Sequence, residues 1–428
     1  MQRRDFIKSG AMAISALPLY GSTFLNLPKR IAIIGTGWWG MNILNEAMAA
    51  GNCTIVGVCD VDENALNAAW QTVKKVKGDD PKKYKDYRDM IAKEKPEIVI
   101  VATPDHWHAL NAIEAIKAGA HVFMEKPIGH TLNEGKAILR AARKYGRKVQ
   151  VDTHRRLSPH NISAMEFLKS GKAGKITQVK AFVNYAQPVG SIIPDSEAPA
   201  HIDWNMWVGP APYKPYNTSI HPKGFRYHSD YANGLLGDWG IHWFDQILWW
   251  TEEKWPKTVF STGGKFIKQD NSDVPDQQLV SFAFEDFDLT WEHKLCATNN
   301  NEKHNVGCYF YGTEGTFHLG WLDGWTFYPR KKDQEIIHQD AQLHQPDQQN
   351  IKEAWADFLQ SIESDKLPAC DIEKGFRATN LSMLGMISQN LGRSVQWDGE
   401  KNVIIGDEVA NGMLSRKYRD GWEYPTGE

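Results

Sequence analysis

Three side chains in this sequence have the types and placement needed to move a proton beside a hydride: Lys126, Asp238 and His242. Taking a hydride from an alcohol carbon requires a base for the hydroxyl proton and donors that hold the oxygen as it becomes a carbonyl. Lys126 stands in Glu125-Lys126-Pro127, where the proline restricts the backbone of the residue before it. An arbitrary lysine is a solvent-exposed surface group, so its place in the fold must decide. Asp238 and His242 lie four apart in the segment 233–250, which reads as one helix apolar nearly all round, and Asp245 follows three further on along the same stripe. Burying such groups is costly unless they are paired or used. A histidine beside a carboxylate can be tuned to accept a proton near neutral pH, which is the expectation for His242; the alternative is an Asp–His pair that only caps the helix start.

For these groups to meet substrate they need a frame, and the first part of the chain supplies one. Ile31 to Ile34 is a short apolar run, followed at once by Gly35-Thr36-Gly37-Trp38-Trp39-Gly40 and a helical pattern ending at Gly51. Strand, glycine turn and helix come in the order of a dinucleotide fold. Gly35 serves the tight turn, Gly37 the approach of backbone to pyrophosphate, Gly40 close helix packing, and free helix N–H groups face the phosphates. A second strand, Thr54 to Cys59, ends in Asp60, about 20 residues past the last glycine, where an acid holds the adenosine ribose. An acid there favours NAD over NADP, whose 2′-phosphate would meet a like charge; Asp62 is the alternative for this role. The alternation continues through a strand at Ile98 to Thr103, a helix at Trp107 to Ala118 and a strand at His121 to Lys126. A Thr131/Glu134 capping box then opens a helix to Tyr145, and Val149 to His154 closes the series.

Ligands of such sheets bind outside the carboxyl ends of the strands, where several polar clusters converge. The expected cofactor set is Gly35, Thr36, Gly37, Trp38, Trp39, Gly40, Asp60, Thr103, Pro104, His108, Glu125 and Lys126. His154 and Arg155 join Asp238 and His242 as expected substrate contacts. His106 and His108 form an HxH pair that lacks a third ligand, so they read as helix-start residues and no metal is expected.

From about Lys175 the pattern changes to alternating apolar stretches at 176–185, 258–266, 279–284, 289–295, 306–311 and 315–319, joined by polar turns. This predicts an α+β domain with an open, mostly antiparallel sheet. A Pro- and aromatic-rich excursion, 187–231, is expected to be an ordered loop over the pocket. Helical stretches at 348–363 and 371–393 are expected to return to the first domain. The division is thus a leader at 1–28, a Rossmann domain with a doubly wound parallel sheet at 29–154, a substrate and oligomerisation domain at 155–345, and C-terminal helices and tail at 346–428.

With a net charge of −3 in 428 residues, the chain has no electrostatic reason to bind nucleic acid or an anionic membrane. Small neutral ligands fit better, and 17 tryptophans and 14 tyrosines are compatible with sugar contacts or simply with core filling. Five cysteines without CxxC spacing argue against a disulfide framework or a zinc cluster. Arg3-Arg4 followed by an uncharged stretch from Gly10 to Leu27 is a twin-arginine export pattern, with cleavage expected near Gly21 to Thr23 and a periplasmic destination. No other segment is apolar and long enough to span a membrane. A dehydrogenase outside the cytoplasm has no nicotinamide pool to draw on, so its NAD is expected to be tightly bound and recycled in place.

The GTGWWG turn, the TPDHWH segment, the EKP tripeptide, His154-Arg155-Arg156, the run at 203–217 and the GDWGIHWFD helix together resemble the glucose–fructose oxidoreductase / inositol dehydrogenase / MocA family. The ending, 406–425, is similar to its exported branch. The resemblance covers essentially the whole chain after the leader. It implies that Lys126 orients substrate and contacts the nicotinamide, that Asp238 and His242 are the matching acid and proton-transferring histidine, and that the second domain supplies a carbohydrate pocket and often a dimer face. An NAD-dependent glycosidase or lyase that oxidises transiently is a second reading, although the family's α-N-acetylgalactosaminidases generally do not keep the EKP lysine. A noncatalytic cofactor-binding sensor is a third.

Overall fold

The computed structural model describes residues 28–296, 303–344, 349–364 and 366–428. The expected export leader and its cleavage site lie outside the described residues. One sheet is parallel, in the order β3-β2-β1-β4-β5-β6, from β1 (Lys29–Ile34), β2 (Cys53–Cys59), β3 (Lys82–Tyr84), β4 (Ile98–Val101), β5 (His121–Met124) and β6 (Val149–Val151). The helices that position the site are α1 (Trp38–Ala49), α2 (His108–Lys117), α3 (Leu132–Lys144), α4 (Ile241–Trp250), α5 (Ile351–Glu363) and α6 (Ile372–Leu391).

Both faces of the parallel sheet are covered, which is why the core of β1 and all of β4 are apolar without alternation. Successive residues nevertheless enter different cores. Ile31, Ile33, Ile98 and Ile100 pack with α1 and with Trp355 and Phe358 of α5, whereas Ala32, Ile34, Val99 and Val101 join the larger core under α2 and α3. The order reverses between β1 and β4, the switch point where ligands of such sheets bind.

The second sheet runs β14-β13-β12-β11-β7-β10-β9-β8-β15-β16. Its strands are β7 (Ile176–Asn184), β8 (Thr258–Gly264), β9 (Gln277–Ala283), β10 (Asp288–Lys294), β11 (Val306–Gly312), β12 (Gly315–Gly320), β13 (Trp325–Pro329), β14 (Ile337–Gln339), β15 (Val395–Asp398) and β16 (Val403–Ile404). Pairing is antiparallel except between β7 and β10. One face packs on α4, with Phe244 edge-on to Phe282 at 5.2 Å; the other is open and leaves Phe260 and Leu279 exposed. Helix α6 ties the domains together by close approach. A Cβ on Gly375 would lie 2.7 Å from Val151 of β6, and one on Gly385 would lie 2.7 Å from Leu236 of the second domain. The C-terminal tail returns to α3, where Arg416 donates to buried Glu134 at 2.9 Å.

Three expectations change. The expected strands 121–126 and 149–154 stop at Met124 and Val151, and after the second the chain turns through the 3-10 turn His154–Leu157 at the rim. The expected helix 233–250 is present as one run over 234–250, but it carries a π turn at Leu236–Gly240 ahead of α4. Asp245 does not join Asp238 and His242: it receives two 2.9 Å bonds from Arg156 Nε in a buried ion pair. The 187–231 excursion is an ordered loop over the cleft, as expected: Trp207, Phe225 and Arg226 line it, and its aromatics also form a small core around Trp204 and Trp207, which stack at 4.6 Å.

Candidate active site

A cleft of about 340 Å³ opens at the switch point, between the carboxyl edge of the parallel sheet and the second domain. Its nucleotide side is built by the glycine turn. Gly35 sits at φ +90°, where side chains are strained, and a Cβ there would lie 2.5 Å from the Ala102 carbonyl oxygen. Gly37 caps α1 without a side-chain bond, and a Cβ on it would meet nothing within 4 Å, so free N–H groups of the first turn face open space. Asp60 Oδ2 accepts from Thr36 N at 2.7 Å and Thr36 Oγ1 at 3.0 Å, while Oδ1 accepts from Asp62 N at 2.9 Å. The acid thus braces the glycine turn. Burial raises its carboxyl against these three bonds. A cradle of free N–H groups, a glycine approach and a buried acid together fit a dinucleotide.

Of the other expected cofactor residues, Trp38, Thr103, Pro104, Glu125 and Lys126 line the cleft. Trp38 is 60% exposed with Lys223 over its ring at 4.7 Å. Trp39 also lines the cleft, but its indole N–H turns inward to both Glu125 and Asp152. Those carboxyls form a buried pair. Burial and the Asp152 charge push Glu125 well up, so it holds the shared proton. Burial also pushes Asp152 up, but His154 and its hydrogen bonds outweigh this and leave it lowered. His108 is corrected: it stands behind the rim, its ring nitrogens 2.6 and 2.7 Å from the Pro127 and Thr103 carbonyl oxygens, and it braces two rim segments rather than lining the cleft. His106 Nε2 is engaged by the Trp207 carbonyl at 3.0 Å, so this HxH pair points at backbone.

Lys126 and Asp238 meet on the cleft wall. Lys126 Nζ donates to Asp238 Oδ1 at 2.8 Å and to its carbonyl oxygen at 2.7 Å, and Arg226 Nε stands 3.4 Å from the same Oδ1. Burial would raise the Asp238 carboxyl, but the two cations outweigh it and hold it at about 2. Asp238, which makes both contacts, lies within the π turn Leu236–Gly240. Neighbouring Asp105 behaves oppositely: burial lifts it to about 7 despite Arg226.

His242 lies deeper, 8% exposed, between Trp321 at 4.9 Å and His154 at 6.2 Å. Its Nδ1 has no hydrogen-bond partner among the described residues. The expected tuning by a neighbouring carboxylate is overturned, because Asp238 is taken up by Lys126 and Arg226. Burial first, and then Lys126, His154 and Arg155, hold the imidazole neutral well below its ordinary range. His154 links Asp152, at 3.1 Å, to Gln349, at 2.7 Å. Arg155 is buried with its guanidinium 3.8 Å over Trp321, and its Nε and Nη1 have no partners among the described residues. Neither His154, Arg155 nor His242 lines the open cleft.

Sequence reasoning missed Arg226, which sits in a segment without periodicity, and gave Asp105 no role beyond the rim. It also left Trp321 unmarked. An Arg inside an aromatic loop expected to cover the pocket was the available signal for the first; the other two depend on burial and on a strand turn that spacing does not reveal.

Residues 29–153 match the family model described as "Oxidoreductase family, NAD-binding Rossmann fold", and residues 175–424 match its "C-terminal alpha/beta domain". A glycosyl hydrolase family 109 protein of Stenotrophomonas maltophilia is 29% identical over 189 residues, 42% of each chain. A second, from Saccharopolyspora erythraea, is 34% identical over 109 residues, 24% of each. The chain thus spans less than half the length of these curated relatives. Among solved structures, the WlbA dehydrogenase of Bordetella pertussis in complex with NADH and UDP-GlcNAcA superimposes with a TM-score of 0.65 at 17% identity, covering 86% of this chain and 99% of that one. The aldose-aldose oxidoreductase of Caulobacter crescentus complexed with glycerol gives 0.65 at 18%, covering 86% and 99%. Both share the fold.

Proposed function

The chain belongs to the glucose–fructose oxidoreductase / inositol dehydrogenase / MocA oxidoreductase family, with an NAD-binding Rossmann domain, and from that premise we propose that it oxidises a hydroxyl of a sugar, glycoside or polyol by hydride transfer. The observation that carries the reading is the Lys126–Asp238 ion pair, which brings an ammonium from the nucleotide domain and a carboxylate from the second domain to one wall of the cleft. NAD, when bound, supplies the hydride acceptor. Lys126 holds the substrate oxygen as it gains carbonyl character, because its ammonium is a preorganised donor in a partly desolvated site. Asp238 and Arg226 fix the lysine head. His242, the residue to which the family resemblance gives the hydroxyl proton, stands back from the open cleft with a free Nδ1, so it accepts that proton only from substrate that reaches past the cleft wall. Asp105 sets the local charge by titrating near neutrality.

Export through the twin-arginine route would carry the protein folded into the periplasm with its NAD captive, and a second substrate would then restore the resting state. The open sheet face with Phe260 and Leu279 supports a homo-oligomer. Incubating purified protein with a panel of sugars and reading the absorbance of bound reduced cofactor tests the central step; no reduction by any pyranoside or polyol would overturn it. A second reading, transient oxidation followed by cleavage of a glycosidic bond, is favoured by the partial similarity to family 109 proteins. Release of a chromogenic aglycone without net cofactor reduction would select it.

A further inference from the structure

At the far end of β12 three groups converge that the redox chemistry does not use: His318 on the strand, Asp323 in the turn after it, and His304 just ahead of β11. One ligand-type atom of each lies within 4.8 Å of the other two. The imidazoles stack with centroids 3.6 Å apart, and His304 Nδ1 is 2.8 Å from Asp323 Oδ2. The Nε2 atoms of both histidines are buried and without hydrogen-bond partners among the described residues, and His318 is only 1% exposed. Two buried ring nitrogens with nothing to bond are an unfavourable arrangement unless something binds them. Glycines keep the space open. A Cβ on Gly307 would lie 2.6 Å from His318 Nε2, and one on Gly320 would strike the Asp323 carboxylate.

We propose that His304, His318 and Asp323 bind one divalent transition-metal ion of the zinc class. Two imidazoles and a carboxylate are a zinc donor set, and three protein ligands leave a fourth position for water. Tetrahedral binding brings ligand atoms to about 3.3 Å from one another, given metal bonds of about 2.0–2.1 Å. Asp323, with 47% of its side chain exposed on a turn, and His304, 15% exposed ahead of β11, are the groups able to make that adjustment, which also turns the His304 ring out of its 19° stack on His318 so that the ring nitrogens converge. The site also reaches the pocket. Trp321 lies in the chain between His318 and Asp323, and its ring contacts both His242, at 4.9 Å, and Arg155, at 3.8 Å. An ion holding both ends of this segment would fix the tryptophan that packs on those two residues.

The test uses the full chain, stripped with chelator and then dialysed against Zn²⁺, with bound metal counted and thermal unfolding followed. One ion per chain and a raised Tm are expected, and Co²⁺ in its place should give the visible absorption of a four-coordinate site. His304→Gln and Asp323→Asn, at partly exposed positions where the fold tolerates change, should each weaken binding about tenfold or more and abolish the Tm shift. Unchanged far-ultraviolet circular dichroism of these variants would show that the loss is local. Binding far below one ion per chain at micromolar free zinc, or full binding retained by both variants, would overturn the site. Neither result depends on whether the chain oxidises a sugar.

Discussion

Lys126 Nζ donates to both the side chain and the backbone carbonyl of Asp238, at 2.8 and 2.7 Å. A single ammonium thereby joins the edge of the parallel sheet to the π turn of the second domain, and does so on the wall of the nucleotide cleft. Substrate positioning and domain alignment share one contact.

Lys126→Ala should therefore lower kcat by about 10²–10⁴ while the protein still folds and still carries nucleotide. Steady-state kinetics beside a Tm measurement separates the two effects. A Lys126→Ala variant with undiminished biological activity would instead favour a noncatalytic sensor.

Breaking the Arg156–Asp245 pair should act on stability alone. Asp245 is 1% exposed and bonded through both carboxylate oxygens, so Asp245→Ala leaves a buried guanidinium without its main partner. A loss of about 3–5 kcal/mol in denaturant unfolding is expected, with KM of the folded fraction unchanged. A selective fall in kcat would place Asp245 in the chemistry after all.

Asp238 and Asp105, both on the cleft wall, give opposite pH responses. Asp238 is lowered to about 2, so its contribution to stability is present above the ordinary carboxylate range and is lost as pH falls toward 2. Asp105 is raised to about 7, so the folded state binds its proton more tightly than the unfolded one and stability declines as pH rises from the ordinary range toward 7. Asp105→Asn should abolish that decline, raise Tm above pH 7 relative to the unmodified protein, and remove a step near pH 7 from the kcat profile. Superimposable Tm profiles would contradict the assignment.

Gly35→Ala places a Cβ against the Ala102 carbonyl at a positive φ. The variant should purify without nucleotide, read by mass spectrometry of the denatured supernatant. Normal loading would mean that the glycine turn does not carry the cofactor.

The parallel sheet was the most legible part of the chain. Ile31–Ile34 and the glycine turn are legible through local spacing, and Asp60, placed by the same spacing, meets the glycine turn at Thr36. The active-site side chains were legible as types but not as partners. Counting Asp238 onto the stripe of His242 and Asp245 assumes regular α-helical spacing, which the π turn at Leu236–Gly240 shifts for Asp238. Asp245 and His108 are spent on Arg156 and on two carbonyls, choices fixed by residues 89 and up to 19 positions away. Strands β13 to β16 are short, two to five residues each, and carry too little periodicity to register.

The most direct measurement is the absorbance of the nicotinamide that copurifies with the protein, followed as single sugars and polyols are added without external cofactor. Hydride transfer within the cleft predicts stoichiometric reduction by at least one of them, reversed by a second carbonyl substrate and absent in Lys126→Ala. Bound NAD that no sugar, glycoside or polyol reduces, in protein confirmed to be folded and loaded, would contradict it.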